Sequence, residues 1–378
     1  MQGTSSPTPV PGGWQTDDMS VAAYDFALPR GAVAQRPALR RDWARLMVVD
    51  PASGTWSHAR FAEIGRFLRS GDVLVVNDSK VVPARLWGRK RSGGAVEVLL
   101  VERESTDQWT VIVRSRRRPV PGATIEFGSG LSGTWVAYCG GGRGRLRLAA
   151  EGDLDATLLE VGEVPLPPYI RRPCGPDAED RERYQTVYAR VPGSIAAPTA
   201  GLHFTGELVE DLAKGGITIL QLTLHVGPAT FQPIRTEDVR QHTLEGERYF
   251  IPGETAAAVS AARAAGRRII AVGTTTTRAL EAAAEPDGTL RPGAGVARTV
   301  IHPGYRFRVI NGLLTNFHLP RSSLLLVVAA LLGRELVQRC YREALAEGYR
   351  FYSYGDVMLA IHHDGPVSAP QVHLGVTG

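Results

Sequence analysis

The chain reads VEVLLVE at residues 96–102, WTVIV at 109–113, GTWVAY at 133–138 and RGRLRL at 143–148. These short β-like segments stand between Arg85 and about Gly162 and are separated by glycine clusters at near-regular spacing. Short strands at regular intervals, with turn signals between them, are typical of a small antiparallel barrel. The sequence therefore predicts an inserted β-barrel domain over residues 86–162.

The chain on both sides of this stretch alternates between extended and helical patterns. Strands are predicted at Tyr24–Pro29, Leu46–Asp50, Asp72–Asn77, Ile217–Val226 and Arg268–Val272. Helices are predicted at Phe61–Leu68, Gly206–Lys214, Gly253–Ala265 and Arg334–Ala346. Such alternation implies an α/β fold with much parallel sheet. We expect a large mixed α/β domain made of residues 21–85 and 163–378, which carries the barrel as an insertion.

The composition is that of a folded, arginine-rich protein. The 378 residues include 43% apolar side chains and carry a formal net charge of +5, which excludes a disordered chain. Among the 43 basic residues only Lys80, Lys90 and Lys214 are lysines, so forty are arginines. A GC-rich coding bias explains this excess, and so does selection for guanidinium groups that clamp phosphate or carboxylate. Composition alone does not choose between the two.

The sequence has no recognisable targeting segment or membrane span. Residues 1–20 are rich in Ser, Thr, Pro and Gly and lack the apolar core of a signal peptide, which predicts a disordered leader. The most apolar stretch, Leu324–Leu332, is nine residues long, whereas about 20 are needed to cross a bilayer. Three widely spaced cysteines predict neither a disulfide framework nor a zinc site. We expect a soluble, cytoplasmic protein.

Polar and small residues concentrate in eight segments, in combinations that local packing does not require. These are NDSKVVPAR (77–85), PLPPYI (165–170) with YQTVY (184–188), AAPTAGLHF (196–204), TLHVGPATF (223–231), QHTLEGE (241–247), VGTTTTR (272–278), LTNFHLP (314–320) and FYSYGDVM (351–358). Several of them follow predicted strands, and open α/β sheets bind ligands at the carboxyl ends of their strands.

Most of these segments have both a functional and a structural interpretation. Asn77 and Arg85 could face a polar substrate, or they could form an Asx-turn and a solvated arginine. His203, near a predicted helix start, could transfer protons or be an ordinary structural histidine. The segment 165–170 could stack a base with its flanking tyrosines, or link two domains. His242 and Glu247 could share one site.

The threonine segment suggests an anion site. A Gly-Thr turn at residues 273–277 would offer N–H groups and hydroxyls to a carboxylate, ribose or phosphate, with Arg278 as a charged clamp. The segment is not a Walker A loop, and the chain has neither a GxSxG elbow nor a GxGxxG loop after a strand. No metal is expected, because the spacing of metal ligands is missing at His203, His225, His242 and His318.

Taken in order, these segments resemble one known family. Gly71–Arg85, PLPPYI, YQTVYA, APTAGLHF, TLHVG, GTTTTR, TNFHLP and YRFYSYGD closely resemble the bacterial S-adenosylmethionine:tRNA ribosyltransferase-isomerases of queuosine biosynthesis, from about Tyr24 to about Leu359. The resemblance implies a large α/β domain with a β-barrel domain. It also implies that S-adenosylmethionine donates a ribosyl group to 7-aminomethyl-7-deazaguanine in the tRNA wobble position, which yields epoxyqueuosine in tRNA, adenine and methionine.

The implied reaction requires a general base, a proton source for adenine and a suitably charged pocket. The sulfonium acidifies the C5′ hydrogens, so that a base can form an ylide and expel adenine. The acceptor amine then adds, and a ribose oxygen closes the epoxide by displacing methionine. The resemblance makes His203, His225 and His318 the candidates for proton transfer, with Asp356 orienting one of them or facing the sulfonium. S-adenosylmethionine is the only co-substrate expected, without a metal.

The resemblance also suggests residues that bind the substrates. Arg278, Thr274 and Thr275 are expected to hold the methionine carboxylate or the ribose, and Asn77 and Arg85 the acceptor or its phosphates. Other residues expected to line the site are Thr199, Gly201, Gly227, His242, Glu247 and Asn316. Contacts to tRNA phosphates are expected from Arg40, Arg41, Arg89, Arg91, Arg116 and Arg117, for which ordinary solvated surface is the alternative.

The chain departs from the family pattern in a few places. Leu244–Glu245 replace a Met-His pair, Arg321 follows TNFHLP where an acidic residue or lysine is more usual, and a run of four threonines replaces Thr-Thr-Ser-Val. These departures concern the acceptor more than the fold. The alternatives are a paralogue that uses the same donor on a small molecule and an inactive RNA-binding relative. The expected partners are tRNA and S-adenosylmethionine, bound by a monomer that associates with no membrane.

Overall fold

The structure is a computed structural model that describes residues 16–228 and 233–362. It contains two compact units. The first comprises the described residues up to Ser79, Thr186–Val191 and the described residues from Pro198 onward, and the second comprises Lys80–Gln185 and Pro192–Ala197. The first unit is mixed α/β and the second contains a closed β-barrel. The predicted fold class is therefore confirmed.

The strands, helices and short 3-10 helices are numbered or named in chain order. The strands are β1 (Arg45–Asp50), β2 (Thr55–Arg60), β3 (Val73–Asn77), β4 (Ser79–Val81), β5 (Arg85–Lys90), β6 (Ala95–Arg103), β7 (Gln108–Ser115), β8 (Thr124–Gly128), β9 (Leu131–Gly140), β10 (Arg143–Ala150), β11 (Val191–Ser194), β12 (Thr218–Leu224), β13 (Glu247–Ile251), β14 (Ile269–Val272), β15 (Gly293–Ala297), β16 (Gly312–Asn316) and β17 (Val357–Ile361). The helices are α1 (Leu154–Val161), α2 (Ala178–Arg183), α3 (Gly206–Lys214), α4 (Gly253–Ala264), α5 (Thr274–Ala283), α6 (Ser323–Leu332) and α7 (Arg334–Ala346). The 3-10 helices are Thr16–Met19, Val21–Tyr24, Arg30–Ala32, Arg41–Trp43, Phe61–Phe67, Thr199–His203 and Val239–Gln241.

The first unit is organised around a nine-stranded sheet in the order β15-β13-β12-β3-β14-β16-β17-β1-β2. The neighbours β12, β3, β14 and β16 run parallel, whereas β17 is antiparallel to β16. Parallel strands covered on both faces read as continuous apolar runs, as Val73-Leu74-Val75-Val76 does. The carboxyl ends of the four parallel strands meet at one edge of the sheet.

Apolar side chains from the sheet and the covering segments form the core of the first unit. Leu74, Ile270 and Leu314, from three neighbouring parallel strands, are fully buried with Phe61 and Phe204. Helix α6 is apolar on all sides and buried along its whole length, as expected for a helix inside a large domain. The apolar stretch 324–332 is therefore a buried helix. Within the described ranges, no helix combines the length and apolarity needed to cross a bilayer.

The second unit contains a closed barrel of antiparallel strands in the order β10-β7-β6-β5-β8-β9. Alternate residues of β6, namely Val96, Val98 and Leu100, are buried in the barrel core with Trp135. Gly144 allows the close packing, because a Cβ atom there would lie 2.2 Å from the Trp135 ring. The alternation in the sequence thus reflects the inward and outward faces of barrel strands.

Two expectations for the start of the chain are corrected. The predicted leader 1–20 extends too far, since Met19 is buried and the Tyr24 hydroxyl donates to the Asp18 carbonyl at 2.7 Å; residues 1–15 lie outside the described part of the chain. The segment 24–29 is not a strand. The Phe26 ring instead packs against Tyr341 of α7, with ring centroids 5.5 Å apart, so this segment crosses a helix and does not pair in a sheet.

Other differences have local physical causes. The compact second unit is longer than the 86–162 predicted, because Arg85 and Glu163 exchange main-chain hydrogen bonds of 3.1 and 2.8 Å that tie the segment after α1 to the first barrel strand. Residues 274–277, predicted as a turn, form the first turn of α5. Threonine is a poor helix former, so the sequence signal there is weak and the burial of this helix decides its structure.

Candidate active site

Four neighbouring strand ends bring the polar segments of the first unit together. β12 ends just before His225, β3 ends at Asn77, β14 leads into Gly273 and β16 ends at Asn316. Because these strands are parallel neighbours, the four segments lie side by side at one edge of the sheet. This carboxyl edge, as we call it, is where open α/β sheets bind ligands, and it is the candidate active site.

His203 is connected to the end of β16 by a short network. The Thr199 hydroxyl donates to Oδ1 of Asn316 at 2.8 Å, and Nδ2 of Asn316 lies 3.2 Å from Nε2 of His203. Since Oδ1 accepts from Thr199, the amide N–H group faces His203 and donates to Nε2, which therefore carries no proton. The imidazole also hydrogen-bonds the main chain of Arg41. The hydrogen-bonding capacity of this ring is thus used within the protein.

Burial decides the charge of His203. Desolvation lowers its pKa to about 4, against a smaller upward effect of the Asp356 carboxylate. That carboxylate is itself engaged, since Oδ1 accepts the N–H of Arg45 at 2.9 Å and Oδ2 accepts the N–H of Arg350 at 2.8 Å. Asp356 therefore acts on His203 through its charge, and holds the chain segments of Arg45 and Arg350 together.

His318 lies in the interior behind the same strand end. Its Nε2 is 2.7 Å from the Thr315 hydroxyl, and its main-chain N–H donates to the Tyr341 hydroxyl at 3.1 Å. Burial lowers its pKa to about 3. A neutral, hydrogen-bonded imidazole in this position is suited to shaping the turn after β16.

His225 differs from the other two candidate histidines. It is half-buried at the carboxyl edge, and its Nδ1 has no hydrogen-bond partner in the described part of the chain. Burial lowers its pKa, the Asp78 carboxylate opposes that shift, and Arg248 adds to it. Its Nδ1 is therefore an unoccupied ring nitrogen, whereas the Nε2 atoms of His203 and His318 are engaged in hydrogen bonds.

Asp78 is a buried charge at this edge that the sequence analysis did not single out. Its Oδ1 accepts the Thr223 hydroxyl at 2.6 Å, and its Oδ2 accepts a guanidinium N–H of Arg190 at 3.0 Å. Thr223 and His225 are two residues apart at the end of a strand, so their side chains leave the sheet on the same face as the Asp78 carboxylate. The signal was present in the sequence, because Asp78 directly follows Asn77 in the strand-ending turn.

Asn77 joins two strands. Its amide donates to the Leu224 carbonyl at 2.9 Å, while Oδ1 accepts the N–H groups of Leu224 at 3.0 Å and Ser79 at 3.1 Å. The residue is 1% exposed. These bonds agree with the Asx-turn interpretation and leave Asn77 as a support for the strand ends, not as a group that faces an acceptor.

Arg85, the other residue expected to face the acceptor, lies in the second unit. Its Nε is 3.1 Å from a carboxylate oxygen of Glu97, and its Nη2 donates to the Leu166 carbonyl at 2.9 Å. Burial lowers its pKa, and Glu97 and Glu163 oppose that shift. Its guanidinium is thus engaged inside the barrel unit.

Glu247 and Arg278 form a buried ion pair beside the end of β12. One carboxylate oxygen of Glu247 accepts the N–H of Gly227 at 2.9 Å and the other pairs with Arg278, whose Nη2 donates to the Ala297 carbonyl at 3.0 Å. Each of the two side chains is 5% exposed. Arg278 was expected to clamp a substrate carboxylate, but its charge is balanced by Glu247. The pair holds the Gly227 turn against β13 and β15.

His242 belongs to the same group of residues. Burial lowers its pKa, and the charge of the nearby Arg278 lowers it further. Its Nε2 has no hydrogen-bond partner among the described residues. His242, Glu247 and Arg278 therefore lie together, at the end of the site that β12 and β13 form.

The 3-10 helix 199–203 and the start of α5 face each other across the site. A Cβ atom on Gly273 would lie 3.7 Å from the Cβ of Ala200. The next residue, Gly201, makes room for the Tyr188 hydroxyl, which would be 2.1 Å from an added Cβ. Thr274 and Thr275 follow Gly273 and are buried. The structure thus brings the AAPTAGLHF and VGTTTTR segments into contact.

The arginines expected to bind phosphate fall into two groups. In the first unit, Arg40 pairs with Asp42 at 3.1 Å, and Arg41 donates to the Leu202 carbonyl at 3.0 Å. Arg41 therefore supports the segment that carries His203. Since both guanidinium groups are engaged within the unit, phosphate binding by them would require partners to be exchanged.

The second group forms a cluster on the barrel. Arg89, Arg91, Arg116 and Arg117 are exposed. Nζ of Lys90 donates to the Arg117 carbonyl at 2.6 Å, so the β5–β6 turn and the β7–β8 loop are adjacent. We call this cluster, Arg89–Arg91 with Arg116 and Arg117, the barrel patch. In the described part of the chain, no acidic side chain pairs with Arg91, Arg116 or Arg117.

Comparison with known proteins identifies the family. A family model described as a queuosine biosynthesis protein matches residues 21–360. Proteins named S-adenosylmethionine:tRNA ribosyltransferase-isomerase from Syntrophotalea carbinolica and Symbiobacterium thermophilum are each 48% identical over 345 residues, which covers 91% of this chain and 100% of theirs. The crystal structure of S-adenosylmethionine tRNA ribosyltransferase from Thermotoga maritima is 34% identical, with a TM-score of 0.50, and the match covers 90% of this chain and 100% of that one. Across residues 16–228 and 233–362, no three His, Cys, Asp or Glu side chains are grouped to hold a metal ion.

Proposed function

The chain belongs to the family of queuosine biosynthesis enzymes, the ribosyltransferase-isomerases, and from this premise we propose that it transfers and isomerises the ribosyl moiety of S-adenosylmethionine onto 7-aminomethyl-7-deazaguanine in the wobble position of tRNA. The products are epoxyqueuosine in tRNA, adenine and methionine. The observation that carries the proposal is the carboxyl edge, where four parallel strand ends gather the segments of His225, Gly273 and Asn316 within one unit.

His225 is the proton-transfer group in this proposal. A general base needs a ring nitrogen that is not already hydrogen-bonded, and Nδ1 of His225, a buried atom, has no partner among the described residues. Its lowered pKa keeps the ring neutral near pH 7, ready to accept the C5′ proton of the sulfonium donor. The proton taken up is then available to the departing adenine, which balances the step. His203 and His318, whose Nε2 atoms are hydrogen-bonded inside the protein, position the loops.

Asp78 supports His225 in this role. When the imidazole accepts a proton it becomes a cation, and a nearby buried carboxylate stabilises that cation. The Thr223 hydroxyl and the Arg190 guanidinium hold the carboxylate in place at 2.6 and 3.0 Å. Asp78 is thus a positioning residue that acts through His225.

The barrel patch binds tRNA phosphates in this proposal. Its arginines are exposed, and guanidinium groups suit the geometry of phosphate oxygens. Binding through phosphates is strongly salt-dependent, because condensed counterions are released. A small-molecule acceptor would predict near indifference to salt.

Incubation of the protein with S-adenosylmethionine and tRNA carrying 7-aminomethyl-7-deazaguanine tests the proposal. Adenine release together with epoxyqueuosine in the tRNA is the expected result, and a parallel reaction with EDTA tests the expectation that no metal takes part. Adenine release only with another amine would identify the small-molecule paralogue. If tRNA binds but no adenine is released under any condition, the chain is an inactive RNA-binding relative.

Single substitutions test the assignment of the base. His225→Gln is expected to lower turnover by roughly 10²-fold or more, the usual contribution of a general base. His302→Gln is the matched control, because His302 hydrogen-bonds the carbonyl of Pro303 through Nδ1 and lies outside the site. Full turnover in His225→Gln would refute the assignment.

A further inference from the structure

The N-terminus of α5 is buried and lacks a cap. The N-cap residue is Gly273, at φ 95°, which has no side chain to accept hydrogen bonds from the first turn. The N–H groups of Thr274, Thr275 and Thr276 have no acceptor in the described part of the chain, and these residues are at most 6% exposed. A helix end buried in this way leaves several donors unsatisfied unless a ligand accepts from them.

Beside these main-chain N–H groups, the side-chain hydroxyl of Thr275 is a further donor without a partner among the described residues. Its Oγ1 is buried and makes no hydrogen bond to any described residue. By contrast, the hydroxyls of Thr276 and Thr277 donate to the carbonyls of Val272 at 2.7 Å and Gly273 at 3.2 Å. Oγ1 of Thr275 lies 3.6 Å from the position that a Cβ on Gly273 would take, so it stands beside the uncapped N–H groups.

These donors suit a small oxyanion. N–H groups at a helix N-terminus carry a partial positive charge that favours carboxylate or phosphate oxygens, and the absence of a side chain at Gly273 gives the ligand access to them. Arg278, one turn further along, is already paired with Glu247. Its Nε has no partner among the described residues, but its charge is balanced by the Glu247 carboxylate. The site therefore offers main-chain and hydroxyl donors without an uncompensated positive charge, which matches a singly charged carboxylate better than a dianionic phosphate.

We infer that the first turn of α5, together with the Thr275 hydroxyl, is the binding subsite for the carboxylate of the ribosyl donor's methionine portion. The inference rests on the proposed function for the identity of the ligand. The location is consistent with it, because Gly273 lies against Ala200 at the carboxyl edge, where β16 and the 3-10 helix 199–203 also meet. The methionine portion is thereby anchored at β14, two strands away from His225 at the end of β12.

Titration calorimetry without tRNA tests this subsite. Wild-type protein is titrated with S-adenosylmethionine and with decarboxylated S-adenosylmethionine, which lacks the carboxylate. We expect a preference of roughly tenfold or more for the carboxylate form, from hydrogen bonds to a charged group. Thr275→Val is expected to lose much of this preference and to bind the decarboxylated form as wild type does. Thr275→Ser, which keeps the hydroxyl, should restore it.

Thr277→Val is the matched control, because it removes a hydroxyl from the same helix turn that already bonds the main chain. Its preference for the carboxylate form should equal that of wild type. The ligand-free Thr275→Val protein should melt at or above the wild-type temperature, since a buried hydroxyl without a partner is replaced by a methyl group. A lower melting temperature would show a structural role for the hydroxyl and overturn the inference.

The remaining outcomes separate this subsite from its alternatives. Equal weakening of both ligands by Thr275→Val, no preference in wild type, or no binding of either ligand would each overturn the inference. A separate titration with tRNA completes the comparison. If Thr275→Val binds S-adenosylmethionine as wild type does but binds tRNA more weakly, the occupant is a phosphate and the inference is overturned. If the carboxylate preference is found as expected but no adenine is released with tRNA, the subsite stands and the proposed function fails.

Discussion

The side-chain amide of Asn316 donates to Nε2 of His203 over 3.2 Å and so connects the end of β16 with the 3-10 helix 199–203. The direction of this bond is set by Thr199, whose hydroxyl donates to Oδ1 of the same amide at 2.8 Å. An N–H donor at Nε2 stabilises the neutral imidazole, and burial acts in the same direction. His203 is therefore held neutral near pH 7 and serves as an acceptor within the scaffold.

The charge of His203 should respond to Asn316→Asp. A carboxylate cannot donate to Nε2 and attracts the imidazolium, so the pKa of His203 should rise from about 4 towards its ordinary value. NMR titration of ¹³C-labelled histidine rings measures this. Thr199→Val, which keeps the amide donor, is the control and should leave the pKa low. An unchanged His203 titration in Asn316→Asp would contradict donation from the amide to the ring.

The two buried histidines should make the protein acid-sensitive. In the folded state burial lowers the pKa of His203 to about 4 and of His318 to about 3, both below the ordinary value of about 6.5. Between these limits the unfolded chain binds more protons, so the free energy of unfolding falls as the pH drops from about 6.5 towards 4. The unfolding free energy, measured by urea denaturation at several pH values, should change with pH around pH 5 as expected for the uptake of about two protons by these groups on unfolding. In His203→Gln the uptake should be smaller by about one proton. An identical slope in that variant would argue against a neutral, buried His203.

Asp78→Asn should move the acid limb of the pH–activity profile to lower pH, whereas Arg190→Gln should not. A base works when deprotonated, so the acid limb of kcat/KM follows its pKa. Asp78→Asn removes the carboxylate that opposes the lowering of the His225 pKa, so the limb should move to lower pH and the plateau should fall. Arg190→Gln leaves the carboxylate less neutralised and should move the limb upwards or not at all. Shifts of the same sign in both variants would rule out control through His225.

The ion pair of Glu247 and Arg278 should be strongly coupled. Both side chains are 5% exposed, so Glu247→Gln leaves a buried guanidinium without its counter-charge and should cost roughly 3–5 kcal/mol of unfolding free energy. Glu247→Gln combined with Arg278→Met should recover part of this loss. Urea denaturation of the single and double variants forms the cycle. Additive losses would mean that the pair does not act as a unit.

The barrel patch should contribute to the salt dependence of tRNA binding. Substitution of both Arg116 and Arg117 by Gln should weaken binding and flatten the plot of log affinity against log salt by about one unit for each phosphate that is no longer bound. Arg145→Gln combined with Arg147→Gln is the matched control, because these two arginines of β10 are paired with Glu104 at 3.0 Å and Asp107 at 3.5 Å. Filter-binding or anisotropy titrations at several salt concentrations measure both. Equal effects of the two changes would assign the salt dependence to net charge alone.

The sequence was most informative where one physical signal dominates. Gly206–Lys214 and Arg334–Ala346 are helices with the predicted bounds, because their apolar spacing and glycine stops agree. The barrel segments alternate between apolar and polar residues, because every second side chain of each strand lies in a shared barrel core. The signal failed at the start of α5, where four threonines with poor helix propensity form a buried helix turn between β14 and the core.

At the carboxyl edge, too, the sequence predicted some features and not others. Strand-end reasoning placed Asn77, His225 and Gly273 at the ends of predicted strands, since a buried strand ends where polar residues begin. The strand that ends at Asn316 was not predicted, and only the structure shows it. Strand-end reasoning could not say which of these residues are free to meet a substrate. That depends on partners distant in the chain, such as Leu224 for Asn77 and Glu247 for Arg278.

By itself, then, the sequence determined the α/β and barrel architecture, three of the four strand ends at the carboxyl edge and the family resemblance, because these follow from local periodicity and from motifs read in order. Only the tertiary structure decided which polar groups are already satisfied. It paired Arg278 with Glu247, engaged both His203 and His318 in hydrogen bonds, and left the Thr275 hydroxyl and Nδ1 of His225 without partners among the described residues. Hydrogen bonding and burial are properties of contacts between segments far apart in sequence, and local patterns do not encode them.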